Sequence, residues 1–225
     1  MNEVPKLPEL VVMLTHHDFT SESAEEIFEE CKYSQAKYWG LKEKPLSQER
    51  MKKLYSRMKE YGKITVLEVV AYNLEEGLEG ARIAANCGCD ILMGTKFYKE
   101  IADFCKIHNI KYMPFVGDIE GRPSVLKGSI QDIVEEAREV VRNGAFGVDL
   151  LGYRYVDEAK ELIVNIINKT EAPVCVAGSI DGYERLDEMK EYQPWAFTIG
   201  SAFFENKFND DFSGQINKVC DYIHK

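Results

Sequence analysis

Short runs of apolar, β-branched and aromatic residues punctuate the chain, separated by longer stretches whose apolar positions recur at three and four residues. The short runs are LVVML (10–14), AKYWGLK (36–42), ITVLEVV (64–70), DILMG (90–94), KYMPFVG (111–117), AFGVDLLG (145–152), PVCVAG (173–178) and AFTIG (196–200). Their length and β-branched content predict buried strands. The stretches between them carry a helical period, as in Ala24, Ile27, Phe28 and Cys31, or Ile130, Ile133, Val134, Ala137 and Val141. Three of these open with a capping spacing, Ser23 before Glu26, Asn73 before Glu76 and Ser129 before Asp132, and Gly62, Gly88 and Gly144 stand where helices should stop.

Eight strand signals, each followed by room for one crossover helix, predict a parallel sheet, and eight is the number that closes a barrel. No linker or low-complexity stretch interrupts the series, so residues 1–225 are read as one TIM (βα)8 barrel of the α/β class. An open doubly wound sheet would want a GxGxxG turn after its first strand, and MLTHHDFTSES stands there instead.

Composition narrows the ligand. Of the 225 residues 45% are hydrophobic, enough for a sizeable core, and a formal charge of −10 argues against nucleic acid or an anionic membrane as partner. A small polar molecule is the better expectation. The six cysteines lie mostly inside apolar runs with no secretory or membrane-length segment before them, as expected for reduced thiols in a cytoplasmic protein. Cys87 and Cys89 are too closely spaced for a zinc knuckle and have no second pair. His16, His17 and Asp18 would need ligands from other strands, so neither a metal nor a cofactor is expected. Side chains of consecutive residues on an extended chain point opposite ways, so at most one of His16 and His17 should enter a pocket; His108 and His224 read as surface residues.

The last two strands end unusually, one in VAGSID and the other in TIGSAFF. Gly178 and Gly200 would let backbone approach an anion without an intervening Cβ, and Ser179 and Ser201 would add amides and hydroxyls, at the place where such barrels commonly hold phosphate. The stretch ILMGTKFY (91–98) echoes FTIGSAFF (197–204) half a barrel earlier, which suggests a residual internal repeat and adds Gly94 and Thr95 as candidates.

With VAGSI, TIGSAFFENKF and LMGT in place, the chain resembles the phosphate-binding (βα)8 superfamily of ribulose-phosphate epimerases, phosphoribosyl isomerases of histidine and tryptophan biosynthesis, and related aldolases and decarboxylases. Its glycines after strands 4 and 8 are most similar to those of the histidine-pathway isomerase. That resemblance implies acid and base aspartates after strands 1 and 5, where Asp18 and Asp118 stand. Two departures accompany it. The third strand, LEVVAYN, lacks the glycine turn for a second phosphate, and the first ends in THHD, which sets Asp18 far along its loop.

Charges inside strands complete the candidates. Glu68 in ITVLEVV and Asp149 in GVDLLGY should face the barrel lumen near its mouth, and Lys42 ends the second strand. Burial would move carboxylate and ammonium pKa values toward neutrality. A structural ion pair between Lys42 and Glu68 is the competing reading. Arg122, in a glycine- and proline-containing loop after strand 5, and Arg154, after strand 6, could clamp an anion.

The expected function is an isomerase or epimerase of carbohydrate metabolism acting on a small phosphorylated sugar or sugar acid. Glu68 or Asp149 would be the base, Asp18 or Asp118 the acid, and Lys42 would stabilise the enediolate. A lyase using Lys42 as a Schiff-base nucleophile and a non-catalytic phosphosugar-binding barrel stay open as alternatives. The superfamily resemblance also leaves room for a homo-oligomer.

Overall fold

The computed structural model describes residues 7–121 and 123–225. Eight parallel strands close a TIM barrel: Glu9–Met13, Tyr38–Lys42, Ile64–Val69, Ile91–Lys96, Lys111–Phe115, Val148–Leu150, Val174–Val176 and Ala196–Ile199, here called barrel strands 1 to 8. Strand 1 closes the ring by pairing with both strand 2 and strand 8. Each predicted run contributes one strand. The intervening helices are α1 (Ala24–Cys31), α2 (Gln48–Glu60), α3 (Leu74–Cys87), α4 (Lys99–Ile107), α5 (Ile130–Arg142), α6 (Ala159–Lys169) and α7 (Tyr183–Tyr192). A four-residue α8 (Ser201–Phe204) and the C-terminal α9 (Phe212–His224) follow.

Period-two alternation sorts the strand residues into two cores. Outward residues such as Val12, Leu41, Leu67, Val69, Leu150 and Val176 pack under the helices. Inward residues fill the lumen, where Val11, Met13, Val66, Met93, Met113 and Cys175 form a separate cluster closed at one end by Trp195. Trp195 meets Tyr38 and Phe146 edge to face. The lumen is tightly filled: a Cβ on Gly40 would lie 2.2 Å from Met13 Sδ. All six cysteines are free and buried, as packing residues should be, and burial pushes Cys31, Cys89, Cys105 and Cys220 up to about 12.

Two of the three expected caps form, the Asn73 and Ser129 side chains accepting from the Glu76 and Asp132 amides. Ser23 does not cap α1. Its backbone is not extended (φ −97°, ψ 22°), so its hydroxyl is not aimed along the helix, and the Ser21 hydroxyl accepts the Ser23 amide instead. Gly62, Gly88 and Gly144 all adopt positive φ just past helix ends.

Two hairpins that periodicity did not announce decorate the C-terminal end. One pairs Thr15–His16 with Phe19–Thr20, and the other pairs Asp118–Glu120 with Val125–Lys127.

Candidate active site

Lys42 and Glu68 are direct register partners on strands 2 and 3. Their neighbours Leu41, Leu67 and Val69 face the helices, so both charged side chains enter the lumen. Lys42 Nζ lies 3.3 Å from Glu68 Oε1 and donates to Asp18 Oδ1 at 2.8 Å. Asp18 reaches it through the first hairpin, whose central residues His17 and Asp18 are both left-handed (φ 50° and 68°), the twist that a two-residue turn between antiparallel strands requires. Thr20 then stitches the hairpin to strand 2, its hydroxyl accepting the Lys42 amide at 2.7 Å and donating to the Lys42 carbonyl at 2.9 Å. The distance along the sequence that set Asp18 apart is thus folded back over the barrel mouth.

Burial alone would lower the Lys42 pKa, but the Glu68 and Asp18 carboxylates outweigh it and hold the pKa above the usual lysine value. This reverses the direction that burial alone predicted. Both carboxylates favour the ammonium form of Lys42, so the structural ion pair and the candidate catalytic lysine are one and the same arrangement.

Above these groups lies a cavity of about 520 Å³ lined by Lys42, Glu68, Asp18 and Arg154 and by both glycine–serine turns. Gly178 and Ser179 are consecutive left-handed residues (φ 85° and 58°). No acceptor among the described residues takes the Gly178, Ser179 or Ile180 amide. The Arg154 side chain lies against this turn, its Nε 3.0 Å from where a Gly178 Cβ would stand, and its Nη2 is 3.8 Å from Asp18 Oδ1. Across the cavity, Gly200 precedes α8, where the Phe203 amide is bonded to the Gly200 carbonyl at 3.0 Å and the Ser201 and Ala202 amides have no acceptor among the described residues. A Cβ on Gly200 would sit 2.6 Å from Thr15 Oγ1, so this glycine also lets the first hairpin pack down. The Ser201 hydroxyl accepts the His17 amide at 3.2 Å.

The remaining candidates separate. Asp149 faces the lumen, since Val148 and Leu150 pack outward, but it is 0% exposed and does not line the cavity. Asp118 sits on the second hairpin, 73% exposed at its side chain and 3.8 Å from Lys96, away from the cavity. Gly94 and Thr95 do not form a second anion turn either. Both have positive φ (75° and 61°) inside strand 4, where the register shifts between Met93 and Lys96 as in a β-bulge. A Gly94 Cβ would meet the Val69 carbonyl at 2.4 Å, and the Thr95 hydroxyl is bonded to Tyr112. Gly200, by contrast, has φ −123°, so the sequence echo is not a conformational one. Arg122 lies outside the described residues.

His17 lines the cavity and His16 does not, yet their rings stack at 3.8 Å because the turn, rather than an extended strand, sets their directions. His108 and His224 are exposed. Among the described residues no cluster of metal-ligating side chains occurs. Sequence reasoning missed Thr15, Phe19, Thr198, Asp181 and Glu205 as lining residues; Thr198 alone had a legible position, two residues before Gly200 on the same inward face. No helix among the described residues is long and apolar enough to cross a membrane.

No family model matches the chain, and no curated protein matches it in sequence. Solved structures share the fold at low identity. A native KDPGal structure aligns with a TM-score of 0.70 at 12% identity, covering 100% of this chain and 98% of that one. Orotidine 5'-phosphate decarboxylase from Lactobacillus acidophilus gives 0.68 at 14%, covering 98% and 100%. N-acetylmannosamine-6-phosphate 2-epimerase from Clostridium perfringens gives 0.64 at 14%, covering 86% of each chain. The closed parallel barrel is common to all of them.

Proposed function

We propose that this barrel is an enzyme that isomerises or epimerises a small phosphorylated sugar or sugar acid by moving a proton next to a carbonyl. One observation carries the reading: the Asp18–Lys42–Glu68 array opens into the same cavity that the Gly178–Ser179 and Gly200–Ser201 turns border. The phosphate would bind the Gly178, Ser179 and Ile180 amides and the Ser201 and Ala202 amides, with Arg154 as the nearby cation. Glu68 would remove a proton from the carbon beside the carbonyl. The electron pair left behind moves to the carbonyl oxygen, where the Lys42 ammonium stabilises the enediolate. Isomerisation then returns the Glu68 proton to the former carbonyl carbon while the hydroxyl proton of the enediol passes to the other substrate oxygen. Epimerisation would instead protonate the original carbon on its opposite face from Asp18, which draws that proton from the Lys42 ammonium, and the protonated Glu68 restores Lys42. Two of the structurally similar proteins carry a phosphate ester in the name of their substrate, which supports the anion site.

The Schiff-base lyase needs Lys42 as a neutral amine. Two carboxylates within 3.3 Å oppose that state, so the proton-transfer reading is preferred. The experiment is exchange of solvent deuterium into the α-carbon of a panel of phosphosugars, with Glu68→Gln as control. Exchange that the wild type catalyses and the variant loses, with phosphosugar affinity kept, supports the assignment. Borohydride trapping of a substrate on Lys42 would replace it with the lyase.

A further inference from the structure

Asp149 is the lumen carboxyl that the proposed chemistry leaves unused among the described residues, and its surroundings are severe. It is fully buried on strand 6, and neither carboxyl oxygen makes a well-formed hydrogen bond among the described residues, although the Gly94 N–H acts on the carboxyl from strand 4. Its strand neighbours are Phe115 on strand 5 and Cys175 on strand 7, and Met113 fills the lumen beside them. A buried polar group without a partner is uncommon enough to require a reason.

The charges that act on this carboxyl come from across the lumen. Desolvation is the largest influence and the Glu68 carboxylate the second, both raising its pKa well above the ordinary aspartate value. Lys42, the Gly94 amide and Arg154 pull down and do not prevail. Cys175, the titratable group on the adjoining strand, is itself pushed up, first by burial and then by the carboxyl groups around it, so it stays a neutral thiol.

Two carboxyls in one dry lumen cannot both ionise cheaply. Glu68 has Lys42 at 3.3 Å and opens to the cavity, whereas Asp149 has neither. Of the two, Asp149 is therefore the carboxyl placed to hold a proton.

We propose that Asp149 is a positioning residue, the proton-holding partner that confines the carboxylate charge of the lumen to Glu68, the member that faces the cavity. This rests on the reading of Glu68 as base for its catalytic meaning, but its physical content can be tested without substrate.

The test is infrared spectroscopy of the carboxylic-acid C=O stretch in the whole protein, titrated across pH, with aspartate selectively labelled by 13C at the side-chain carboxyl. A protonated-aspartate band that persists at pH 7 and moves with the label is expected. Asp149→Asn should abolish it. Glu68→Gln removes the like charge and should shift the pH at which the band is lost downward by about one unit. Absence of a labelled band at pH 7 in the wild type overturns the proposal, whether or not Asp149→Asn folds. A midpoint unmoved by Glu68→Gln also overturns it, leaving Asp149 neutral by burial alone. Either result is separate from the deuterium-exchange outcome, so the proton-holding role and the isomerase reading can fail independently.

Discussion

Lys42 donates to Asp18 at 2.8 Å across 24 residues of sequence, and the contact exists because His17 and Asp18 both accept left-handed backbone. Left-handed conformation at residues with a Cβ costs about 1–2 kcal/mol each. Such strain is retained where the surrounding structure needs it. Here it closes a turn that presents a carboxylate to a buried ammonium, with Thr20 holding the stem on the Lys42 backbone.

Asp18→Asn should therefore lower stability by about 1.5–3 kcal/mol, the usual worth of a hydrogen bond to a charged group. Glu68 still compensates Lys42, so the variant should fold. Denaturant midpoints check this, and an unchanged midpoint would mean that the Lys42–Asp18 contact contributes nothing net.

Gly178→Ala tests the anion turn. The position has φ 85°, and a Cβ would crowd Arg154 Nε at 3.0 Å. Backbone strain predicts a loss of about 1–2 kcal/mol of stability. If the turn holds phosphate, the affinity for inorganic phosphate measured by calorimetry should fall by at least tenfold in the folded variant. Equal affinity would move the anion site elsewhere.

Gly94→Ala should behave in the opposite way. Its Cβ would stand 2.4 Å from the Val69 carbonyl, a backbone atom that cannot turn aside, and its φ is 75°. We expect the larger destabilisation, about 2–3 kcal/mol or more, with phosphate affinity unchanged in the folded fraction. Weakened phosphate binding at full stability would restore Gly94 to the site.

The contrast between these glycines marks how far the sequence could be read. Each of the eight apolar runs ends within two residues of a barrel strand's end, because a strand buried on both faces must be apolar throughout and a charge within it, such as Glu68, must face the lumen. Gly178 and Gly94 look alike in sequence, and what separates them is the neighbouring chain: an arginine side chain over one and the Val69 carbonyl against the other. Asp18 and Asp118 were likewise equivalent as aspartates after strands 1 and 5. Each lies on a two-stranded hairpin, and only the first hairpin folds toward Lys42. Short hairpins of two or three residues a side carry too little periodicity to be seen in a sequence.

The pH dependence of stability tests the state of Asp149 by a different route. Its folded-state pKa is raised, so between the unfolded aspartate value of about 3.9 and that raised value the native protein binds a proton that the unfolded chain has lost. Stability must then fall as pH rises through this window, by up to about 1.4 kcal/mol per pH unit from this residue. Lys42 acts in another range: its pKa is raised, so its contribution is present below the unfolded lysine value of about 10.4 and is lost only as pH climbs through the folded one. Asp149→Asn cannot ionise. An unpartnered buried amide costs about 1–3 kcal/mol, but at every pH alike, so the offset between the two proteins is not the signal. The signal is the slope. Stability of the wild type minus that of Asp149→Asn, from denaturant melts between pH 4 and pH 8, should decline steadily with pH. A difference that stays flat would mean that Asp149 ionises in the folded protein as readily as in the unfolded chain, and the lumen would then carry two carboxylate charges.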